Sequence, residues 1–136
     1  MEEVEIVKDL PPEEIWVMGH MAQLEQVFLN ILSNALNAMG GSQPRRLSVS
    51  AEKDPESVVI NVRDTGPGLP DEFFERMFDP FFTTKEAGKG LGLGLSISLS
   101  IVKGFGGTIH ASNHKDGGAL FTVAFPRLVS PGRAEE

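Results

Sequence analysis

The chain has 136 residues, a net charge of −7 from 19 acidic and 12 basic side chains, and no cysteine. Its length gives one core with no room for a second full domain, and its acidic balance argues against non-specific binding to DNA, RNA or an anionic membrane. The missing thiols exclude disulfide scaffolds, Cys-based zinc or iron–sulfur centres and cysteine nucleophiles. No apolar run approaches ~18 residues, so no spanning helix is expected, and the Met-Glu-Glu start does not read as a signal peptide.

In chain order, Val4 to Val7 and Ile15 to Met18 read as short strands, with Pro11-Pro12 turning the chain between them. From His20 to Met39 the apolar residues Leu24, Val27, Phe28, Ile31, Leu32, Ala35, Leu36 and Met39 recur with helical period, and Gly40-Gly41 ends the helix. Residues 47–51 and 58–62 alternate apolar and polar, or sit at strand spacing, around Asp54-Pro55, which predicts a hairpin. Pro70 precedes a predicted short helix from Asp71 to Phe78. A second long helix, apolar enough to be well buried, is predicted over Leu95 to Phe105. Ile109 to Ser112 and Leu120 to Phe125 form a last hairpin across Asp116-Gly117-Gly118. This order predicts an α+β fold: a two-layer sandwich with a mixed, mainly antiparallel sheet and about three helices on one face. The domain is expected over residues 1–129, and the Pro/Gly/charged tail 130–136 is expected to be disordered.

Four constellations bear on function. On the first helix, Gln23, Gln26, Asn30, Asn34 and Asn37 fall on one narrow stripe outside the apolar arc. Asn forms helices poorly, so three in one stripe suit either a ligand, such as Mg²⁺ held by a neutral amide oxygen, or a polar rim packed under a loop. Second, Asp64-Thr65-Gly66-Pro67-Gly68 follows a strand directly. An acceptor-only carboxylate there can face an adenine amino group, or it can merely cap a turn. Third, the glycines from Gly88 to Gly94 lead into a helix, with Lys85 and Lys89 beside them. This fits an anion site for phosphates or a plain glycine loop, and it is neither a Walker P-loop nor a dinucleotide fingerprint. Fourth, five of the nine phenylalanines lie from Phe73 to Phe82, suited to a core-packing turn, to an apolar hinge for that glycine loop, or to both. His20, His110 and His114 lack the neighbours of a catalytic base and read as surface or loop residues.

Together, in this order and spacing, these motifs resemble the catalytic and ATP-binding domain of bacterial sensor histidine kinases, within the superfamily that joins gyrase, heat-shock chaperone, histidine kinase and mismatch-repair ATPases. The resemblance covers about Val4 to Pro126. The details NALNAM, FDPFFTTKE and GLGLGLSIS look most like the nitrogen-regulator and dicarboxylate-transport sensor kinases. The resemblance implies ATP and Mg²⁺ as cofactors. Asn34 then looks like the metal ligand, with Asn30 at the metal and phosphate end and Asn37 beside it. Asp64, with Gly66 and Gly68, reads adenine. Phe78, Phe82, Thr83, Thr84 and Lys85 belong to the phenylalanine box, and Lys85 counts with the two asparagines as catalytic. Gly90, Leu91, Gly92, Leu93 and Gly94 form the second glycine box, with Gly88 and Lys89 in the mobile lid. The sequence departs from many relatives at Asn37, where other subgroups carry a basic residue, and at His20, where an Asp is common.

The resemblance also implies transfer of the γ-phosphoryl group to a histidine on a separate dimerisation domain, with a response regulator downstream. No histidine here has the context of that acceptor, so an excised domain is expected, monomeric and unable to phosphorylate itself. It would be cytoplasmic, without direct membrane contact even where the full-length protein is an inner-membrane sensor. Two other readings stand beside this one. A superfamily ATPase that hydrolyses ATP would want a Glu where Asn30 stands. A regulatory module would bind nucleotide without transfer.

Overall fold

The computed structural model describes residues 5–10, 16–17, 19–39, 45–79 and 94–128. Strands β1 (Glu5–Asp9) and β2 (Trp16–Val17) precede helix α1 (Met21–Ala38). Strands β3 (Arg46–Lys53) and β4 (Ser57–Arg63) follow, then helix α2 (Gly94–Gly104) and strands β5 (Thr108–Asn113) and β6 (Ala119–Leu128). The path across the sheet is β1-β3-β4-β6-β2, with β5 also paired to β6. The β1–β3 pair is parallel and every other pair is antiparallel, so the sheet is mixed and mainly antiparallel as expected.

Register explains which side chains are buried. Val49 faces Val62, Val62 faces Phe121, and Ile109 faces Val123. Alternation therefore sends Leu47, Val62, Phe121, Val123 and Phe125 to one face, where all are buried. Val27, Ile31, Ala35 and Met39, spaced one turn apart along and just beyond α1, meet that face, and Val102 of α2 joins them. At roughly 25 cal/mol per Å² of apolar surface, this shared core is the main force fixing the two layers.

The structure corrects three expectations in detail. The described residues hold two α-helices rather than about three. The stretch expected as a helix from Asp71 to Phe78 is a 3₁₀ turn over Asp71–Glu75. The amides of Phe73 and Arg76 bond three residues back, to Pro70 and Phe73. A five-residue segment is too short to repay helix nucleation, and the tighter turn forms instead. The sequence left the pairing of the two N-terminal strands open, and they lie on different edges of the sheet: β1 pairs with β3, β2 with β6. Finally, the expected deep burial of the second long helix narrows to Ser98 and Val102, because α2 packs one face on α1 and β5 and leaves Ile97 exposed. Likewise Leu36, placed in the apolar arc of α1, is exposed, since it sits at the border of that arc. Among the described residues no helix is long and apolar enough to cross a membrane. The tail 130–136 lies outside the described residues.

Candidate functional site

The first part of the site is built where β4 ends. The backbone of Asp64 continues the ladder, its N–H bonding the carbonyl of Ala119 at 3.1 Å. Pairing carries the side chain into the core layer, where Asp64 is only 2% exposed. Its Oδ1 accepts two backbone N–H groups, from Gly66 at 2.8 Å and from Ala119 at 3.2 Å. Its Oδ2 has no hydrogen-bond partner among the described residues. Two donors on one oxygen fix the plane of the carboxylate, and the other oxygen stays an acceptor in a nearly dry setting. That oxygen keeps some contact with solvent, and a base amino group is a donor of the right kind for it. The loop is tied at its start as well: Thr65 Oγ1 accepts the Arg46 N–H at 2.9 Å and lies 3.4 Å from Met39 Sδ, just past α1.

The turn after Asp64 uses glycine for a stated reason. Gly68 has φ +84°, a backbone state that side chains disfavour. A Cβ there would also stand 2.8 Å from Asn113 Oδ1. The next residue, Leu69, donates its N–H to that oxygen at 2.8 Å and accepts from Asn113 Nδ2 at 2.9 Å. Across the loop, Gly118 also has φ +84°, and a Cβ on it would overlap the Asp64 carbonyl.

The second part of the site is the amide stripe of α1. Gln23 and Gln26 are exposed, Asn30 and Asn34 are half-buried, and the side chain of Asn37 lies outside what the structure describes. Asn30 is fully engaged. Its Nδ2 donates to the Gly94 carbonyl at 2.9 Å and to Ser98 Oγ at 3.1 Å, and its Oδ1 accepts from Gln26 Nε2 at 3.0 Å. Ser98 Oγ in turn donates to the Gly94 carbonyl at 2.9 Å. Asn30 is thus a strut that holds the first turn of α2 against α1. Asn34 Nδ2 donates to the Asn30 carbonyl at 2.8 Å, which turns its Oδ1 away from its own helix backbone. That oxygen has no hydrogen-bond partner among the described residues, so it fits a hard cation that still needs phosphate or water ligands. No three His, Asp or Glu side chains gather into a metal site among the described residues.

The structure therefore brings together Asn30 with Gly94, and Asp64 with Gly66 and the Gly68 turn. Phe78 packs beside Phe74 and Met77 along a cavity of about 370 Å³ that α2 and β5 complete, and neither Asp64 nor an asparagine lines it. Phe82, Thr83, Thr84, Lys85, Gly88, Lys89, Gly90, Leu91, Gly92 and Leu93 lie outside the described residues. Ser98, Asn113, Gly118 and Ala119 hold the site and were not singled out from sequence. Ser98 is one of three serines alternating along α2, so the sequence did not mark it out; Asn113, Gly118 and Ala119 show only once the last hairpin is laid beside the Asp64 loop. The histidines sit as expected of loop and surface residues: His110 is exposed on β5, His20 is exposed with its ring against Phe105, and His114 Nδ1 accepts the Asp116 N–H at 3.0 Å in a turn.

Comparison with known proteins places the chain in a family and a fold. The profile of the histidine kinase-, DNA gyrase B-, and HSP90-like ATPases matches residues 19–129, and the chain belongs to that family. The C4-dicarboxylate transport sensor protein DctB of Pseudomonas aeruginosa is 41% identical over 118 residues, covering 86% of this chain and 19% of that protein. The chain therefore spans about a fifth of that relative's length. The catalytic domain of histidine kinase ThkA superposes with a TM-score of 0.79 at 31% identity, covering 91% of this chain and 80% of that one. ThkA in complex with response regulator protein TrrA gives 0.76 at 28% identity, over 92% of this chain and 34% of that one. Full-length ShkA in complex with AMPPNP gives 0.76 at 26% identity, over 96% and 27% respectively. The fold is that of histidine kinase catalytic domains, and DctB is consistent with the dicarboxylate-sensor resemblance.

Proposed function

We propose that the chain binds ATP–Mg²⁺ and presents the γ-phosphoryl group to a histidine on a separate dimerisation domain, as the catalytic part of a two-component sensor. The observation that carries this reading is the Asp64 carboxylate: buried, fixed through one oxygen by two backbone donors, and holding its other oxygen for a base. Support also comes from the AMPPNP complex of ShkA, a relative of the same fold. When bound, ATP–Mg²⁺ supplies the phosphoryl group and the charge neutralisation. The chain binds and orients, which is most of the work in phosphoryl transfer.

In this reading Asp64 accepts from the adenine amino group, and Gly66 and Gly68 let backbone approach the ring. Asn34 Oδ1 faces the metal. Asn30, whose amide is spent on Gly94, Ser98 and Gln26, serves the phosphate end by fixing the start of α2. Its neutral amide stands where hydrolysing relatives would need a carboxylate base, and this favours transfer over hydrolysis. The motif assigns Asn37, Phe78, Phe82, Thr83, Thr84, Lys85, Lys89 and the Gly90–Gly94 run, with Leu91 and Leu93, to the nucleotide as well. A response regulator downstream, a cytoplasmic setting and a monomeric isolated domain belong to the same proposal, helped by the ThkA complex with its response regulator.

Two measurements test it. Mixed with labelled ATP and a cognate histidine hairpin, the chain should label the hairpin histidine. Binding without transfer would favour a regulatory module, and steady phosphate release without acceptor would favour an ATPase. Separately, Asn34→Ala should abolish Mg²⁺-dependent nucleotide affinity while the fold survives by circular dichroism. Unchanged ATP–Mg²⁺ binding by calorimetry would remove Asn34 from the metal.

A further inference from the structure

The loop that carries Asp64 is held at both ends by a hairpin distant in sequence. At the first end, Ala119 accepts the backbone N–H of Asp64 and gives its own N–H to the carboxylate. Beside it, Arg63 Nε donates to the Gly117 carbonyl at 3.1 Å. At the other end, beside the packing of Leu69 itself against the core, the hydrogen-bonding tie is a single side chain. Asn113, the last residue of β5, gives Leu69 what a neighbouring strand would give it: an acceptor for its N–H and a donor for its carbonyl. Between these anchors lies only the turn from Thr65 to Gly68, including the Gly66 N–H that holds the carboxylate.

We propose that Asn113 is a positioning residue for the base end of the site, and that by clamping Leu69 it makes the site selective for a 6-amino over a 6-oxo purine. This rests on the nucleotide reading above. An acceptor-only carboxylate favours an amino group and rejects a carbonyl oxygen, and a site built to hydrogen-bond one group discriminates only while its partners are held in place. If Leu69 were released, the turn would sample other shapes, and binding would bear the cost of selecting the right one. That cost falls on the contact with the base. The α1–α2 seam, built from Asn30, Gly94 and Ser98, shares no bond with Asn113. Gly68 belongs to the same device: the Asn113 amide occupies the space in which a Cβ at 68 would stand.

The test measures the affinities of ATP–Mg²⁺ and GTP–Mg²⁺ for the 136-residue chain and for Asn113→Asp. The variant keeps the acceptor for the Leu69 N–H and turns the Nδ2 donor into an oxygen facing the Leu69 carbonyl. ATP affinity should fall about three- to tenfold, the range expected for lost hydrogen bonds of this kind, while GTP affinity changes less than about twofold. The ATP-over-GTP ratio should therefore shrink. An equal loss for both nucleotides would make Asn113 a merely structural residue and overturn the proposal, as would an unchanged ratio. If Asn113→Asp does not fold, Asn113→Ser, which removes the bidentate amide without adding charge, carries the same expectation and the same refutation. A wild-type chain that binds no ATP would sink the nucleotide reading first, and that outcome is distinct from a wild type that discriminates while its Asn113 variants do so equally well.

Discussion

The two halves of the site are held in different ways. The Asp64 half is mainly a matter of backbone: strand pairing, two N–H groups on one carboxylate oxygen, and two glycines with positive φ that allow close approach, with the Asn113 amide added at Leu69. The asparagine half is a matter of side chains: one amide and one hydroxyl join the helices α1 and α2 at the point where α2 begins. Backbone pairing inside a sheet is cooperative and stiff, whereas a side-chain strut between helices can re-form in another rotamer. In the proposed reading, the base end is then set before ligand arrives, and the phosphate end is the part free to adapt. That division suits a protein that must hold one end of a ligand while offering the other to a partner.

The largest effect should come from breaking the backbone half at Gly118. Gly118→Ala places a methyl group into the Asp64 carbonyl at a φ that side chains avoid. We expect a loss of about 2–4 kcal/mol of stability from overpacking and backbone strain combined, read by urea denaturation. What remains folded should have lost ATP affinity more than its stability loss explains, because Asp64 cannot keep its place. A variant as stable and as tight-binding as wild type would mean that the hairpin yields and the base end is not stiff.

A smaller effect should follow from breaking the side-chain half at Ser98. Ser98→Ala removes one of two acceptors from Asn30 Nδ2, which keeps the Gly94 carbonyl. The hydroxyl's own bond to the Gly94 carbonyl is lost as well, so the expected cost is about 1–2 kcal/mol, the usual net worth of two hydrogen bonds. The ATP-over-GTP ratio should not move, because the base end is anchored elsewhere. A change in that ratio would show that the two halves communicate, and the comparison would fail.

The same division explains what could be read from the chain. Apolar periodicity placed Val27, Ile31 and Ala35 on the buried face of α1, and alternation placed the β3–β4 pair, because each signal is local. Asp64 and Asn34 were legible because unusual residue types stood at exposed chemical cost: three Asn in one helix, and an acidic residue at the end of an apolar strand. The partners of these residues were not legible. Asn113 meets Leu69 across 44 residues, and Ala119 meets Asp64 across 55. Only the β4–β6 and β5–β6 registers create those contacts, and no local pattern encodes them. The parallel pairing of β1 with β3 was hidden for the same reason.

The smallest effect tests whether the sheet transmits strain to the site, and it lies at the far end of β4. Asp54 there caps the β3–β4 turn: its Oδ1 accepts the N–H groups of Glu56 at 2.8 Å and Ser57 at 2.7 Å. These backbone bonds, with the Ser57 hydroxyl and the charge of Arg127, hold its carboxyl below the ordinary value of 3.8. A depressed folded-state pKa means that the ionised cap adds stability above the unfolded value, and that this addition is lost as pH falls through the folded one. Wild type should thus exceed Asp54→Asn in urea midpoint by a constant margin from neutral pH down to about pH 4, and the margin should shrink below that. Because Asp54 is fully exposed, the margin should be slight. The variant's ATP affinity at neutral pH should equal that of wild type, since Asp54 and Asp64 sit at opposite ends of β4 with the paired strand between them. A fall in affinity would mean that the turn strains the whole strand, and the stiffness assigned to the base end would then belong to the sheet rather than to the hairpin that clamps Asp64 and Leu69.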